Sequence, residues 1–351
     1  MVLPDRSISA SRFDGPLPAG FISRLRAQLE EYDIPLQQRG HQLTARYTQA
    51  DITLRLDHAG FAVQIAAEGE VPLHQCRESV IFFLDAALPE ASAHMTWSGV
   101  DAARTPPNFH LAAVLGTRRI SPGFLRVEMA CDGIAALQEG GMHFSLLLPP
   151  EGTTPRWPEL TEQGRTIWPD GACALHRAAY TFVWLDAKAG RFAFDIFEHE
   201  GGRTTEWARR ARPGEMVGVM GPGGGEFPEA THILLAGDET ALPAIRRILE
   251  QSPADRRGTV ILETASEQHH PALILPEGMA LRWITRGHSG GLGAALKAVT
   301  GLEDGQCVWV AAEKSIVRSA KAHFKELGLP RERGYFSAYW TKGNEGGEGA
   351  C

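Results

Sequence analysis

After Thr231 the chain changes rhythm, and that change constrains its fold more than any other feature. Apolar runs of strand length at residues 232–236, 259–263, 279–285 and 306–312 alternate with amphipathic segments at 242–251, 292–300 and 316–327. Strand–helix alternation of this kind specifies an α/β domain built on a doubly wound parallel sheet. Residues 108–226 show the opposite pattern: short, turn-separated strands at 111–117, 124–130, 143–148, 179–184, 191–197 and 215–220, with one brief helix at 204–212. Many short strands with little helix predict an antiparallel β-barrel. A Pro/Trp-rich stretch at 149–176 interrupts this barrel and reads as a long surface loop.

The first hundred residues form a third pattern. Phe21, Leu25, Leu29 and Tyr32 recur at helical spacing within 18–32, and 73–88 reads as a second amphipathic helix. Alternating runs at 41–45, 51–57 and 61–66 lie between them, with Gly60 as hairpin punctuation. The order predicts a small α+β domain with one sheet, and nothing in it has a catalytic pattern. Residues 99–108, with small residues and two prolines, read as a linker. The expected division is therefore 1–100, 108–228 and 229–343, followed by a Gly/Glu-rich flexible tail at 344–351.

Composition excludes several classes. No apolar stretch approaches the roughly 18 residues that cross a bilayer, so membrane insertion is not expected. The N-terminus lacks the apolar core of a secretory signal. Cysteines at 76, 131, 173, 307 and 351 are odd in number and form no CxxC, which argues against a disulfide framework and a cysteine-ligated metal. A net charge of −7 disfavours nucleic acid. These features predict a cytoplasmic, multidomain protein. There is no HExxH and no GxSxG elbow. His269-His270 lie in a Pro-flanked loop without metal-ligand spacing and read as a solvated turn.

Three segments can carry chemistry. Arg177, Tyr180 and Thr181 open a strand; the guanidinium suits a flavin pyrophosphate and the tyrosine a flavin ring, although the heptad alone reads more readily as an ordinary strand with a snorkelling arginine. Gly201-Gly202-Arg203-Thr204-Thr205 opens the short helix. Free N–H groups and two hydroxyls there suit a phosphate, or simply cap the helix. The glycine run 221–225 matches neither a P-loop nor GxGxxG and reads as a domain-joining turn. Asp238-Glu239-Thr240 follows the first strand of the α/β half, the position of a dinucleotide-binding turn. Its two carboxylates favour the helix dipole but oppose a phosphate, so a capping role stands beside a cofactor role.

Together these segments resemble the siderophore-interacting protein family, flavin-dependent ferric-siderophore reductases related to ferredoxin–NADP reductase. The resemblance covers about residues 108–343. It is carried by Arg177-Ala178-Ala179-Tyr180-Thr181, Trp207-Ala208, Arg212-Pro213-Gly214-Glu215, Gly221-Pro222-Gly223-Gly224, Gly328-Leu329-Pro330-Arg331-Glu332-Arg333 and Tyr339-Trp340. It is strongest over Gly237-Asp238-Glu239-Thr240-Ala241-Leu242-Pro243-Ala244-Ile245. Residues 1–100 look like a small domain of unknown function sometimes fused ahead of such reductases. Two departures stand out: Arg177 lies three residues before Tyr180 where the family more often has two, and Val183 stands where a second arginine is common.

The resemblance implies a FAD-binding barrel and a NAD(P)H-binding α/β domain. Arg177, Tyr180 and Thr181 match its flavin motif; Asp195, Phe197 and His199 fall on its Asp-x-x-x-His strand; Gly202, Thr204 and Thr205 sit at its phosphate-side helix. Asp238, Glu239 and Thr240 are the remaining expected cofactor contacts. The substrate implied is a ferric siderophore, whose anionic chelate calls for basic partners: Lys342 beside Trp340, or Arg156 and Arg165 of the barrel insertion. Electrons would come from NAD(P)H or a reduced ferredoxin. The rival readings are a general flavin or ferredoxin-type reductase and a non-redox ferric-siderophore binding protein.

Overall fold

The computed structural model describes residues 6–342 apart from 33, 48, 90, 102, 103, 139, 226, 288 and 289; the expected tail at 344–351 lies outside the described residues. The chain divides into two compact units. Residues up to Phe109 with Pro150–Leu175 form one, and His110–Pro149 with the residues from His176 onward form the other.

In the first unit, β1 (Ser7–Asp14), α1 (Phe21–Glu31), β2 (Leu36–Arg39), β3 (Gln42–Tyr47), β4 (Ala50–Asp57), β5 (Gly60–Ala67) and α2 (Glu70–Ala87) follow in order. The strands make an antiparallel sheet in the order β1-β5-β4-β3-β2. Alternation along β5 turns Phe61, Val63, Ile65 and Ala67 to one face, where they pack with Phe21, Leu25 and Leu29 of α1 and Val80, Phe83 and Leu84 of α2. Strand β1 escapes a hydrophobic pattern because its inward residues are Ser9 and Ser11. Their hydroxyls donate to the carbonyls of Ser98 (2.7 Å) and Thr96 (2.8 Å).

The second unit begins with β6 (Phe109–Ser121), β7 (Phe124–Cys131) and β8 (His143–Leu148). The chain then leaves for the excursion that belongs to the first unit, a two-strand ribbon of β9 (Glu159–Leu160) and β10 (Thr166–Ile167). This segment is more than a surface loop, because polar groups of α2, the buried Arg77 among them, hold it. Arg77 donates to the Gly164 carbonyl at 3.3 Å, the Thr166 N–H donates to Glu78 at 2.8 Å, and Arg165 pairs with Asp85. Gly164 has φ +73°, and a Cβ there would stand 2.7 Å from the Arg77 Nε.

Returning to the second unit, β11 (His176–Asp186), β12 (Arg191–Phe197), α3 (Arg203–Arg210) and β13 (Met216–Met220) complete a closed barrel in the order β11-β12-β7-β6-β13-β8. Its interior is filled by Phe144, Phe182, Phe192 and Phe194; Phe144 stacks on Phe182 at 4.4 Å and meets Phe194 edge-on at 5.3 Å. The parallel sheet follows: β14 (His232–Gly237), α4 (Leu242–Glu250), β15 (Arg257–Thr264), β16 (Gly278–Thr285), α5 (Gly291–Lys297), β17 (Cys307–Glu313), α6 (Lys314–Glu326) and β18 (Gly334–Trp340). Its order is β16-β15-β14-β17-β18, so the chain reverses direction beside β14. Gly237 ends β14 where no side chain fits: a Cβ would lie 2.5 Å from that of Ala241 and 2.8 Å from the Ala311 carbonyl.

Barrel and parallel sheet belong to one unit and are joined by arginines of α4. Arg247, buried, donates to the carbonyl of Phe182 at 2.8 Å and lies 5.2 Å over the Phe227 ring; burial pulls its pKa down. Arg246 reaches Asp195 of the barrel at 3.3 Å.

Candidate active site

Strand β11 separates the three motif residues by alternation. Tyr180 shares the inner face with Phe182: its ring packs at 5.1 Å from Phe194, and its hydroxyl hydrogen-bonds Thr204. Burial pushes its phenol up to about 12. Arg177 and Thr181 share the other face. Tyr180 thus packs, partly buried, against the barrel core, while Arg177 and Thr181 lie on the opposite face, where Thr181 is buried and meets His143.

Helix α3 closes the same end of the barrel. Thr204, buried, meets His176 Nε2 at 3.1 Å, and the Thr205 hydroxyl accepts from the His199 N–H at 3.5 Å. Gly202 is the residue before the helix, and no side chain caps the first-turn N–H groups. A Cβ at Gly202 would press on the His199 ring at 2.7 Å, so the backbone is left bare where the helix begins. Bare N–H groups, the positive end of the helix dipole and Arg203 together suit the pyrophosphate of FAD. The residues present therefore fit that cofactor.

The expected carboxylates do other work. Asp195, 3% exposed, takes Arg126 through both oxygens, at 2.7 and 2.9 Å, as well as Arg246. Two guanidiniums explain its presence as an ion-pair centre between barrel and α4. Phe197 packs against Phe124 at 5.4 Å, next to the core of the parallel sheet. Asp238 accepts the Thr240 N–H at 2.9 Å, its hydroxyl at 2.5 Å, and the Trp340 indole N–H at 2.8 Å. Burial still raises its pKa. Glu239 accepts the Ala265 N–H at 2.6 Å and pairs with Arg286. Neither carboxylate caps α4, whose N-cap residue is Ala241 and which has no side-chain cap; Asp238 closes the local turn and holds Trp340, and Glu239 holds Ala265 and Arg286.

Trp340 stands at the carboxyl edge of the sheet, half-exposed, and Lys342 is exposed just beyond it, with its N–H on Glu313 at 3.3 Å. Arg156 and Arg165 belong to the other unit, where Arg165 is engaged by Asp85. The histidine pair is not a solvated turn at His270, whose ring stacks on Trp283 at 4.0 Å and contacts the Thr264 hydroxyl at 2.9 Å.

One residue near this site carried no sequence signal beyond its place at a strand start. His143 of β8 lies opposite Thr181 in the ladder, its Nδ1 3.1 Å from the Thr181 hydroxyl and its Nε2 2.9 Å from the Tyr339 hydroxyl of β18. Only the fold brings residues 143, 181 and 339 together.

Comparison with known proteins agrees with this geometry. The family model described as Siderophore-interacting FAD-binding domain matches residues 113–226, and the one described as Siderophore-interacting protein matches residues 230–343. A crystal structure of a siderophore utilization protein from T. fusca is 31% identical, covering 69% of this chain and 96% of that one, with a TM-score of 0.60. The siderophore-interacting protein SipS from Aeromonas hydrophila is 26% identical over 67% of this chain and 92% of its own, with a TM-score of 0.58. Among curated relatives, the ferric vibriobactin reductase ViuB of Vibrio cholerae is 28% identical over 64% of this chain and 86% of its own length. The NADPH-dependent ferric-chelate reductase of Escherichia coli is 27% identical over 68% and 94%. Barrel, parallel sheet and motif residues all fall within these matches, and the chain belongs to the siderophore-interacting protein family.

Proposed function

We infer that this chain is a FAD-dependent reductase of ferric siderophores that draws its electrons from NAD(P)H. The observation that carries the reading is the N-terminus of α3, free of a side-chain cap and carrying Arg203, on a barrel that shares one compact unit with a parallel sheet. Relatives named as a ferric vibriobactin reductase and a ferric-chelate reductase match both halves. Bound FAD supplies a ring that accepts two electrons with a hydride and returns them singly, so one NAD(P)H reduces two ferric ions and leaves NAD(P)⁺ and a proton.

The chain's own residues bind and orient. The first-turn N–H groups of α3, Arg203 and Arg177 hold phosphate charge, while Thr204 with His176 fixes the helix on the barrel. Arg247 of α4 holds the Met142 carbonyl before β8 and the Phe182 carbonyl of β11, which joins the barrel to the sheet. No acid–base pair is needed for electron transfer to iron, and ferrous iron then leaves its oxygen-donor chelator readily. Lys342 beside Trp340 is the basic contact proposed for the anionic chelate, because the net charge of −7 leaves attraction to local clusters. We place the reaction in the cytoplasm, where NAD(P)H is available; among the described residues no helix is long and apolar enough to cross a membrane.

The test is direct. The purified protein should show a flavin absorption band, lose it anaerobically on addition of NADPH or NADH, and regain it with ferric siderophore while a ferrous-specific dye develops colour. A colourless protein that cannot be loaded with FAD, or a flavin that ferric chelate does not reoxidise, would overturn the reading.

A further inference from the structure

The glycine run 221–225, the Thr181 hydroxyl and the terminal tyrosine meet around one imidazole. The run lies against the start of β8: the Gly223 N–H donates to the His143 carbonyl at 2.7 Å, and the His143 N–H donates to the Gly224 carbonyl at 3.3 Å. Any Cβ at Gly225 would overlap the His143 ring. The glycines therefore make room for the imidazole at the seam between barrel and parallel sheet. Its Nδ1 faces Thr181 and its Nε2 faces Tyr339, whose ring meets it edge-on at 5.6 Å. Tyr339 is in turn hydrogen-bonded to Tyr335.

Burial, with the charge of Arg247, holds the His143 pKa down to about 4, so the ring is neutral near pH 7. A neutral imidazole has one donor and one acceptor nitrogen. Of the two hydroxyls on it, one must therefore donate and the other accept. If Tyr339 donates, His143 donates to Thr181, and the Thr181 O–H is left to donate elsewhere. If Tyr339 accepts, Thr181 donates to His143 and offers lone pairs instead. The orientation of a hydroxyl on the flavin-binding strand is thereby tied to a residue of the other half of the unit.

We propose that His143 is a positioning residue that sets the polarity of the Thr181 hydroxyl toward bound flavin according to the hydrogen bond it makes with Tyr339. The two polarities correspond to the two neutral imidazole tautomers, each with both hydroxyls turned to match. A reversible donor–acceptor chain suits a cofactor ring that gains a hydrogen on reduction and loses it as a proton on reoxidation. This inference rests on the flavin reading above.

The experiment uses the full chain loaded with FAD and the variants His143→Leu, Tyr339→Phe and the double replacement. Three quantities are measured: the FAD dissociation constant, the flavin midpoint potential and the melting temperature. Each single variant should weaken FAD by about five-fold, the size of one neutral hydrogen bond. Both should move the potential in the same direction. The double variant should be no worse than His143→Leu alone, because both replacements cut one path. An unchanged potential in folded, flavin-loaded variants, or effects that simply add, would overturn the proposal. A lowered melting temperature alone would do the same, since that is what mere packing predicts. If His143→Leu does not fold, Tyr339→Phe, which keeps the ring, decides the matter. A wild-type protein that cannot hold FAD would overturn the functional reading and this inference together, whereas a flavin-bound wild type with indifferent variants overturns this inference alone.

Discussion

Asp238, at the head of the parallel sheet, accepts the indole N–H of Trp340 at 2.8 Å across 102 residues of sequence. The carboxylate is buried at 1% exposure, and the other donors on it come from Thr240, its own near neighbour. The indole is thus its long-range support, tying the last strand to the first turn of the α/β half. Trp340→Phe should cost about 2 kcal/mol, the range for a hydrogen bond to a charged group, read by denaturant unfolding. Loss of this donor should raise the Asp238 pKa further above its ordinary value. An acid with a raised folded pKa favours folding below its unfolded value and loses that advantage as pH rises through the folded one, so the deficit of the variant should widen as pH rises from the wild-type folded pKa toward the variant's higher one. Equal stability of variant and wild type at pH 7 would refute the role.

Acid should destabilise the protein in a defined window. Burial and Arg77 hold His74 down to about 4, and His143 is held at about the same value. A base with a depressed folded pKa contributes stability that is present above its unfolded value near 6.5 and is lost as pH falls toward 4. Each histidine should account for about 3 kcal/mol across that range. His74→Gln, which keeps an acceptor for Arg77, should flatten its share of the slope between pH 6.5 and 4. A slope identical to that of wild type would show that His74 is not the sensor.

The excursion between β8 and β11 offers a third test. Gly164→Ala forces a side chain into a positive-φ backbone against the Arg77 guanidinium. The cost should be about 2 kcal/mol, strain and contact together. Limited proteolysis should then cut within residues 150–175 at a higher rate, with the barrel itself intact. Unaltered protease resistance would mean the α2 contacts do not hold the segment.

Arg177→Ala should raise the FAD dissociation constant about ten-fold, since charge-assisted bonds to phosphate are roughly twice as strong as neutral ones. Fluorescence titration of the apoprotein checks this. Affinity equal to that of wild type would reassign the phosphate contact to Arg203 and the α3 backbone.

Lys342→Ala should weaken ferric-chelate binding at low ionic strength, with the difference shrinking as salt screens it. Quenching of intrinsic tryptophan fluorescence by the chelate reads this, because Trp340 is adjacent. Persistence of wild-type affinity at low salt would move the basic contact elsewhere.

The architecture was legible where local periodicity is the cause of structure. Residues 143–148 and 191–197 read as strands and are strands, and the alternation after Thr231 becomes the parallel sheet. Strand β1 was not legible because its buried face is Ser9 and Ser11, which are satisfied by carbonyls 85 or more residues away rather than by apolar contact. Strand β18 lacks a continuous buried face at the sheet edge, so only its Tyr339-Trp340 end stood out. The site shows the same division. Thr181, Thr204 and Gly202 are visible as local motifs, but the commitment of Tyr180 to the barrel depends on strand parity. The partners of Asp195, namely Arg126 and Arg246, lie 69 and 51 residues away. The meeting of His143 with Tyr339 spans 196 residues and has no local signature at all.

The interleaved first unit also bears on how the chain is made. On the ribosome, Arg77 and Glu78 emerge well before the residues that satisfy them: the Gly164 carbonyl follows Arg77 by 87 positions, and the Thr166 N–H follows Glu78 by 88. The nascent N-terminal segment must therefore leave these polar groups wet until β6, β7 and β8 have been synthesised, and its final closure coincides with delivery of the strand that carries Arg177 and Thr181.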